Sequence, residues 1–349
     1  MTPAITLRQL RAILAAAAPG EAVQTVETHM SWVFLVGERV YKLKKPVRFP
    51  FLDFSTLAAR ESACREELRL NARLAPGIYL GLMVLREQDG RFTLVPEGVA
   101  APGRTVDWLV CMRRLPRECM LDRALAEQRV GPAQIDALVA VLVAFYRSAV
   151  RVRLDAAEHL SLFQREQAAN REVLLRPQFA LEGAACALDR FDQVLLHERG
   201  ALLARVTQRC IVDGHGDLRP EHVCLLEPPV VIDCIEFNAA LRQVDPFDDL
   251  AFLALECDMA GAPMVGEQIV NECAAGLPNA APPALMHFYT AARSLLRARL
   301  AMAHLLDVQP RTPVHWPPLA QRYIQRGLRA LDAMERLGAL SPGAGHGRP

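Results

Sequence analysis

Residues 223–226 read VCLL and residues 230–233 read VVID, two apolar runs separated by Glu227-Pro228-Pro229. Short apolar runs joined by a proline turn are the pattern of a β-hairpin. Antiparallel closure puts Val223 near Asp233 at the open end. The stretch before it, HGDLRPEHV (215–223), brings Asp217 and His222 to the same end through a loop. Carboxylates held together beside apolar strands need a shared proton or a cation. A hard divalent ion such as Mg2+, bound to phosphate oxygens, meets that need. The H-G-D triplet alone also reads as an ordinary turn cap; the hairpin with its second Asp and the basic residue at 219 turn the balance toward chemistry.

The rest of the chain sets bounds on what this hairpin can serve. At 349 residues it exceeds what one core usually supports, which predicts two lobes. With 52% hydrophobic and 23% charged residues it is globular, and a net charge of +1 advertises neither nucleic acid nor an anionic membrane as partner. The nine cysteines are odd in number and include no C-x-x-C, which argues against a disulfide framework and a structural zinc site. The opening MTPAITLRQLRAILAAAAPGEA has an apolar run after two arginines, but Arg8 and Arg11 fit an amphipathic helix better than a leader. No apolar stretch approaches the ~20 residues of a membrane span. A cytoplasmic protein is the expectation.

Residues 5–18 read as a helix closed by Pro19-Gly20, and SWVFLVGERVYKLKKP as a hairpin turning at Gly37-Glu38. A second helix spans about 55–74, before Pro76-Gly77. Asp89-Gly90 marks another hairpin turn, and VDWLVCMRRLP is a buried strand ending in a basic segment. From about residue 120 to 208, Ala- and Leu-rich helices take over. No repeat of 20 to 50 residues is present. The expected division is an N-lobe over 1–115, a helical C-lobe over 116–340 and a disordered tail over 341–349, where SPGAGHGRP is too poor in apolar residues to pack.

HGDLRPEHV, then VVIDCIEF, then DPFDDLA (245–251) resembles the catalytic segments of the aminoglycoside phosphotransferase group of the protein-kinase-like fold. That group shows H-G-D-L-H-x-x-N, an I-D a hairpin later, and D-P-x-x-D-L-A beyond. ETHMSWVFLVGERVYKLKKPVRFPFLDFSTL and EELRLNARLAP resemble the N-lobe of a bacterial branch often fused to a P-loop ATPase domain. No G-x-x-x-x-G-K followed by Ser or Thr occurs in these residues. The resemblance covers about 20–335. It implies an α+β fold of two lobes: a small antiparallel-sheet N-lobe with one main helix, and a larger, mostly helical C-lobe. It also implies transfer of the γ-phosphate of ATP or GTP, with Mg2+, to a hydroxyl of a small molecule.

By that resemblance Asp217 is the catalytic-loop aspartate that orients the acceptor hydroxyl and takes its proton, and Asp233 holds Mg2+. Arg219 would reach the γ-phosphate; its bland alternative is a salt bridge to Glu221 or Glu236. His222 stands where the family has Asn. It is kept as a metal ligand, although imidazole is softer than Mg2+ prefers, and binding phosphate or hydrogen-bonding Asp217 are its alternatives. His215 is expected to brace the loop and Asp249 to accept its backbone N–H groups. Lys42 and Lys44 share one strand face because side chains alternate. Lys42 with Glu67 is the favoured phosphate-neutralising pair, and Glu66 the alternative to Glu67. Ser31, in THMS where a glycine-rich loop would lie, and Met112 and Arg113 at the lobe junction are expected at the nucleotide, with Met112 equally readable as core.

Seven acids from 233 to 258 face Arg242 alone, an acidic rim suited to a cationic acceptor. Arg293, Arg297 and Arg299 read as a solvated helix face. Two other classes compete. One is a kinase-like nucleotide-binding module acting through a partner protein, favoured by His222 and the missing glycine-rich loop. The other is a metallophosphoesterase built on Asp213, His215 and Asp217, which lacks that class's further ligating motifs.

Overall fold

The computed structural model describes residues 5–49, 51–306 and 312–338. The expected tail at 341–349 lies outside them. The chain divides into two compact units, Met1–Arg123 with Glu221–Arg242, and Ala124–Pro220 with Gln243–Pro349. The division is therefore not one cut near residue 115: the aspartate hairpin groups with the N-terminal unit.

The first unit begins with helix α1 (Leu7–Ala17), capped by Thr6 and Gln9 in a reciprocal capping box. Its six-stranded sheet contains β1 (Val23–Glu27), β2 (Ser31–Val36), β3 (Arg39–Lys44), then, after the small pair β4 (Arg48–Phe49) and β5 (Leu52–Asp53), β6 (Tyr79–Gln88), β7 (Arg91–Pro96) and β8 (Arg104–Arg113). The order is β1-β2-β3-β8-β6-β7 and every pairing is antiparallel. Asp89 and Gly90 both have positive φ, 50° and 77°, as a two-residue hairpin turn with the twist of its strands requires.

Period-2 alternation sorts the sheet residues between two cores. Tyr41 and Leu43 of β3 with Leu109 and Cys111 of β8 pack with Leu10 and Leu14 of α1. Trp108, Val110 and Met112 pack on the other side with Cys64 of helix α2 (Leu57–Asn71). Lys42 and Lys44, alternating with Tyr41 and Leu43, are thereby sent to the α2 side. The hairpin strands Val223–Cys224 and Val230–Val231 join this second core through Cys224 and Val230. Their register is Val223↔Val231 rather than Val223 to Asp233, so Asp233 lies two residues past the pairing. Leu225 donates to the Cys119 carbonyl at 2.7 Å and Val231 to that of Leu74 at 3.1 Å.

The second unit is helical. After α3 (Leu121–Ala126), which runs across the division, come α4 (Pro132–Ser148), α5 (Ala156–Leu174), α6 (Ala184–His197) and α7 (Arg199–Thr207). The loop bearing residues 215–219 follows, then α8 (Pro246–Met259), α9 (Pro263–Gly276), α10 (Pro283–Ala303) and α11 (Trp316–Arg336). Val212–Asp213 pairs antiparallel with Gln243–Val244, bracketing that loop. Asp245 caps α8 by accepting from Phe247 N at 3.0 Å, with Pro246 at the first helical position. Gly266 lets α9 close on α8, since a Cβ there would lie 2.7 Å from Ala254 Cα.

Candidate active site

In the first unit, β3, α2 and the segment after the hairpin bring five charged groups together. Lys42 Nζ lies 3.0 Å from Glu67 Oε1 and 2.7 Å from Asp233 Oδ1. Lys44 Nζ lies 2.7 Å from Glu67 Oε2 and also holds Glu236 Oε1. Burial would lower the Lys42 ammonium, but Asp233 and Glu67 outweigh it and raise it well above its ordinary value. Desolvation would raise the Asp233 carboxyl. Lys42, then His222, reverse that and hold it well below the usual carboxylate range. Both stay ionised at neutral pH.

Asp233 has φ +64°, a conformation uncommon for a residue with a side chain. Its N–H points to the Tyr79 hydroxyl oxygen at 3.2 Å, and the next N–H, of Cys234, to Asn71 Oδ1 at 3.0 Å. Tyr79 and Asn71 thus aim the carboxylate; neither was a candidate site residue, although Asn71 lies within EELRLNARLAP. His222 is buried, with Nε2 3.7 Å from Asp233 Oδ2. Glu66, the alternative partner for Lys42, instead meets Arg69 and Arg242, each at 2.7 Å. Ser31 is buried where the Thr28–Ser31 turn joins β1 to β2, its N–H donating to Thr28 Oγ1 at 2.9 Å. Met112 is buried in the α2-side core, and Arg113 ends β8, its N–H on the Ile78 carbonyl at 2.8 Å.

The second unit holds the H-G-D loop. Asp249, fully buried on α8, accepts from the N–H groups of His215 at 2.9 Å and Gly216 at 3.0 Å, and from the Tyr146 hydroxyl at 3.0 Å. Burial pushes its carboxyl up to about 6, against the pull of Arg293 and these donors. His215 is fully buried, and its Nδ1 accepts the Asp217 N–H at 3.2 Å. Arg219 forks onto Asp217, Nε to Oδ1 at 2.9 Å and a terminal nitrogen to Oδ2 at 3.0 Å. Asp217 is therefore carried on a loop fixed from behind by Asp249 and His215.

Two expectations about charge are corrected. Arg293, Arg297 and Arg299 are not a solvated face. Arg293 is buried against Asp248 at 2.7 and 2.9 Å, while half-buried Arg297 meets Glu256 at 2.8 Å and Arg299 meets Asn170 Oδ1 at 2.9 Å. The acidic rim is likewise consumed from within. Asp233 and Glu236 hold Lys42 and Lys44; Asp245, Asp248, Glu256 and Asp258 hold Arg205, Arg293, Arg297 and Arg326; Asp249 holds the loop. These acids no longer argue for a cationic acceptor.

Among the described residues no three His, Cys, Asp or Glu side chains form a metal cage. The donor set nonetheless suits Mg2+, which is held by one or two carboxylates plus substrate phosphates rather than by protein alone. Asp233 is such a carboxylate, its side chain 44% exposed.

An antiparallel sheet with a lysine–glutamate pair, followed by helices and an H-G-D loop, defines the protein-kinase-like fold of the aminoglycoside phosphotransferases and choline kinases, and the chain has that fold. The choline kinase of Cryptosporidium parvum superposes with a TM-score of 0.58 at 11% identity, over 96% of this chain and 98% of the other. A thermostable mutant of the aminoglycoside phosphotransferase APH(4)-Ia, in ternary complex with AMP-PNP and hygromycin B, gives 0.50 at 11% identity over 92% and 98%. In sequence, the chain is 32% identical over 289 residues to uncharacterized proteins of Mycobacterium tuberculosis and Mycobacterium bovis. That match takes in 81% of this chain and 55% of theirs, so the chain spans about half the length of these curated relatives. No protein-family model matches it. Among the described residues no helix is long and apolar enough to cross a membrane.

Proposed function

We propose that this chain transfers the γ-phosphate of ATP or GTP to a hydroxyl of a small molecule. The observation that carries the reading is Lys42, whose ammonium meets a helix glutamate at 3.0 Å and an aspartate after a hairpin at 2.7 Å. Phosphoryl transfer needs positioning and charge compensation more than covalent help. Lys42, steadied by Glu67, would neutralise the nucleotide phosphates. Asp233 and, secondarily, His222 would hold Mg2+, which when bound offsets charge between the β- and γ-phosphates. Ser31, Met112 and Arg113 belong in this reading to the nucleotide-covering N-lobe. Asp217 would orient the acceptor hydroxyl and accept its proton, and Arg219 would leave Asp217 for the transferring phosphate. His215 and Asp249 keep the loop in place.

The fork of Arg219 onto both oxygens of Asp217 favours a second reading, a nucleotide-binding module that works through a partner. One assay separates the two. The protein is incubated with γ-labelled ATP or GTP, Mg2+ and a metabolite extract, and labelled products are resolved. A labelled small molecule formed by the parent and not by Asp217→Asn is expected. Nucleotide binding with no labelled product for any acceptor would replace the first reading by the second, and equal products from the Asp217 variant would remove the base role.

A further inference from the structure

Lys44 has no part in the chemistry above, yet it is the most deeply placed lysine of the cluster. Its side chain is 0% exposed, against 17% for Lys42. Glu67 is also 0% exposed and Glu236 8%. The Phe54 ring lies 5.1 Å from the Lys44 ammonium. A buried ion pair is a poor way to add stability, because apolar side chains of similar size serve as well or better. What such a pair does add is geometry.

The division of contacts shows which geometry. Glu67 gives one oxygen to each lysine, Oε1 to Lys42 and Oε2 to Lys44, so its carboxylate cannot rotate without losing one of them. Glu236 follows Asp233 by three residues and pins that segment back to β3 through Lys44. Lys44 therefore ties three pieces of chain, each bearing one residue of the proposed nucleotide machinery: Lys42 on β3, Glu67 on α2, and Asp233 after the hairpin. The cluster also holds three carboxylates against two ammonium groups.

We propose that Lys44 and Glu236 are positioning residues for the Mg2+-nucleotide site, acting through Glu67 and the Asp233 segment rather than on the phosphates. The proposal rests on the phosphotransferase reading. Lys44→Met alone would leave the Glu236 carboxyl buried without its cation, while Glu67 keeps Lys42, so the decisive variants are Lys44→Met/Glu236→Gln, which removes charge from both sides, and Glu236→Gln. Each is titrated with AMP-PNP at several Mg2+ concentrations by calorimetry, beside a thermal melt. The double variant is expected to melt near the parent but to bind Mg2+-AMP-PNP at least tenfold more weakly and to need more Mg2+ for half-saturation. Glu236→Gln is expected to lose about threefold or more. Parent-like Kd and Mg2+ requirement in both variants would overturn the proposal. A parent that binds no Mg2+-AMP-PNP would instead remove the phosphotransferase reading on which it stands.

Discussion

Asp249 turns its carboxylate toward main-chain N–H groups of the H-G-D loop while lying fully buried beside Arg293. Burial raises its carboxyl to about 6, above the ordinary value near 4. Between those values the folded chain keeps a proton that the unfolded chain has released. This group's contribution to stability therefore falls as pH rises from about 4 to about 6 and is level above that. Denaturant titrations of the parent and Asp249→Asn across pH 4 to 8 should show the parent losing stability relative to the variant in that window. A difference independent of pH would mean that Asp249 does not carry the shifted proton. At Asp217 the stake is chemical. Removal of a general base typically costs 10²–10⁴-fold in rate, so Asp217→Asn should lose kcat in roughly that range while the protein stays folded.

The helices of the second unit are joined by charge more than their sequences disclose. Arg293 of α10 reaches Asp248 of α8 with two hydrogen bonds, and its guanidinium stands 4.9 Å from the Phe252 ring. Removing one partner of a buried pair leaves an uncompensated charge, at about 3–5 kcal/mol. Arg293→Leu should be destabilised by about that much in urea, with much of the loss regained in Arg293→Leu/Asp248→Leu. Parent-like stability in the single variant would show the pair to be slack. These pairs were illegible because α10 spaces its arginines as an exposed helix would, and the partners lie far off in sequence. Turns were easier to read. Gly37, Asp89-Gly90 and Pro76-Gly77 each end a run whose periodicity had already declared a strand or helix. The hairpin was legible too, but its register was not: it is offset by two residues from the one expected, a shift that keeps every side chain on its face, and the observed register is the one in which Leu225 and Val231 bond to the carbonyls of Cys119 and Leu74.

For the whole molecule, the kinase-like fold could be read from three motifs in order, while the division into units could not. Segment Glu221–Arg242 is separated from the N-terminal 123 residues by the first helices of the second unit, and long-range contacts such as Asn71 with Cys234 return it to them. Strand alternation showed that Lys42 and Lys44 share a face, and the resemblance, not the pattern, favoured Lys42 with Glu67; the contact is at 3.0 Å. The pairing of Lys44 with Glu236 was not legible, because the three lysines of YKLKKP (42, 44 and 45) read equally as solvated strand decoration. In the proposed function, Asp233 is the carboxylate through which Mg2+ and nucleotide would be held. The direct test is calorimetric titration of Mg2+-AMP-PNP into the parent, Asp217→Asn and Asp233→Ala. Parent and Asp217→Asn should bind with similar Kd, and Asp233→Ala at least tenfold more weakly with little response to Mg2+. Equal, Mg2+-dependent binding by Asp233→Ala would contradict it.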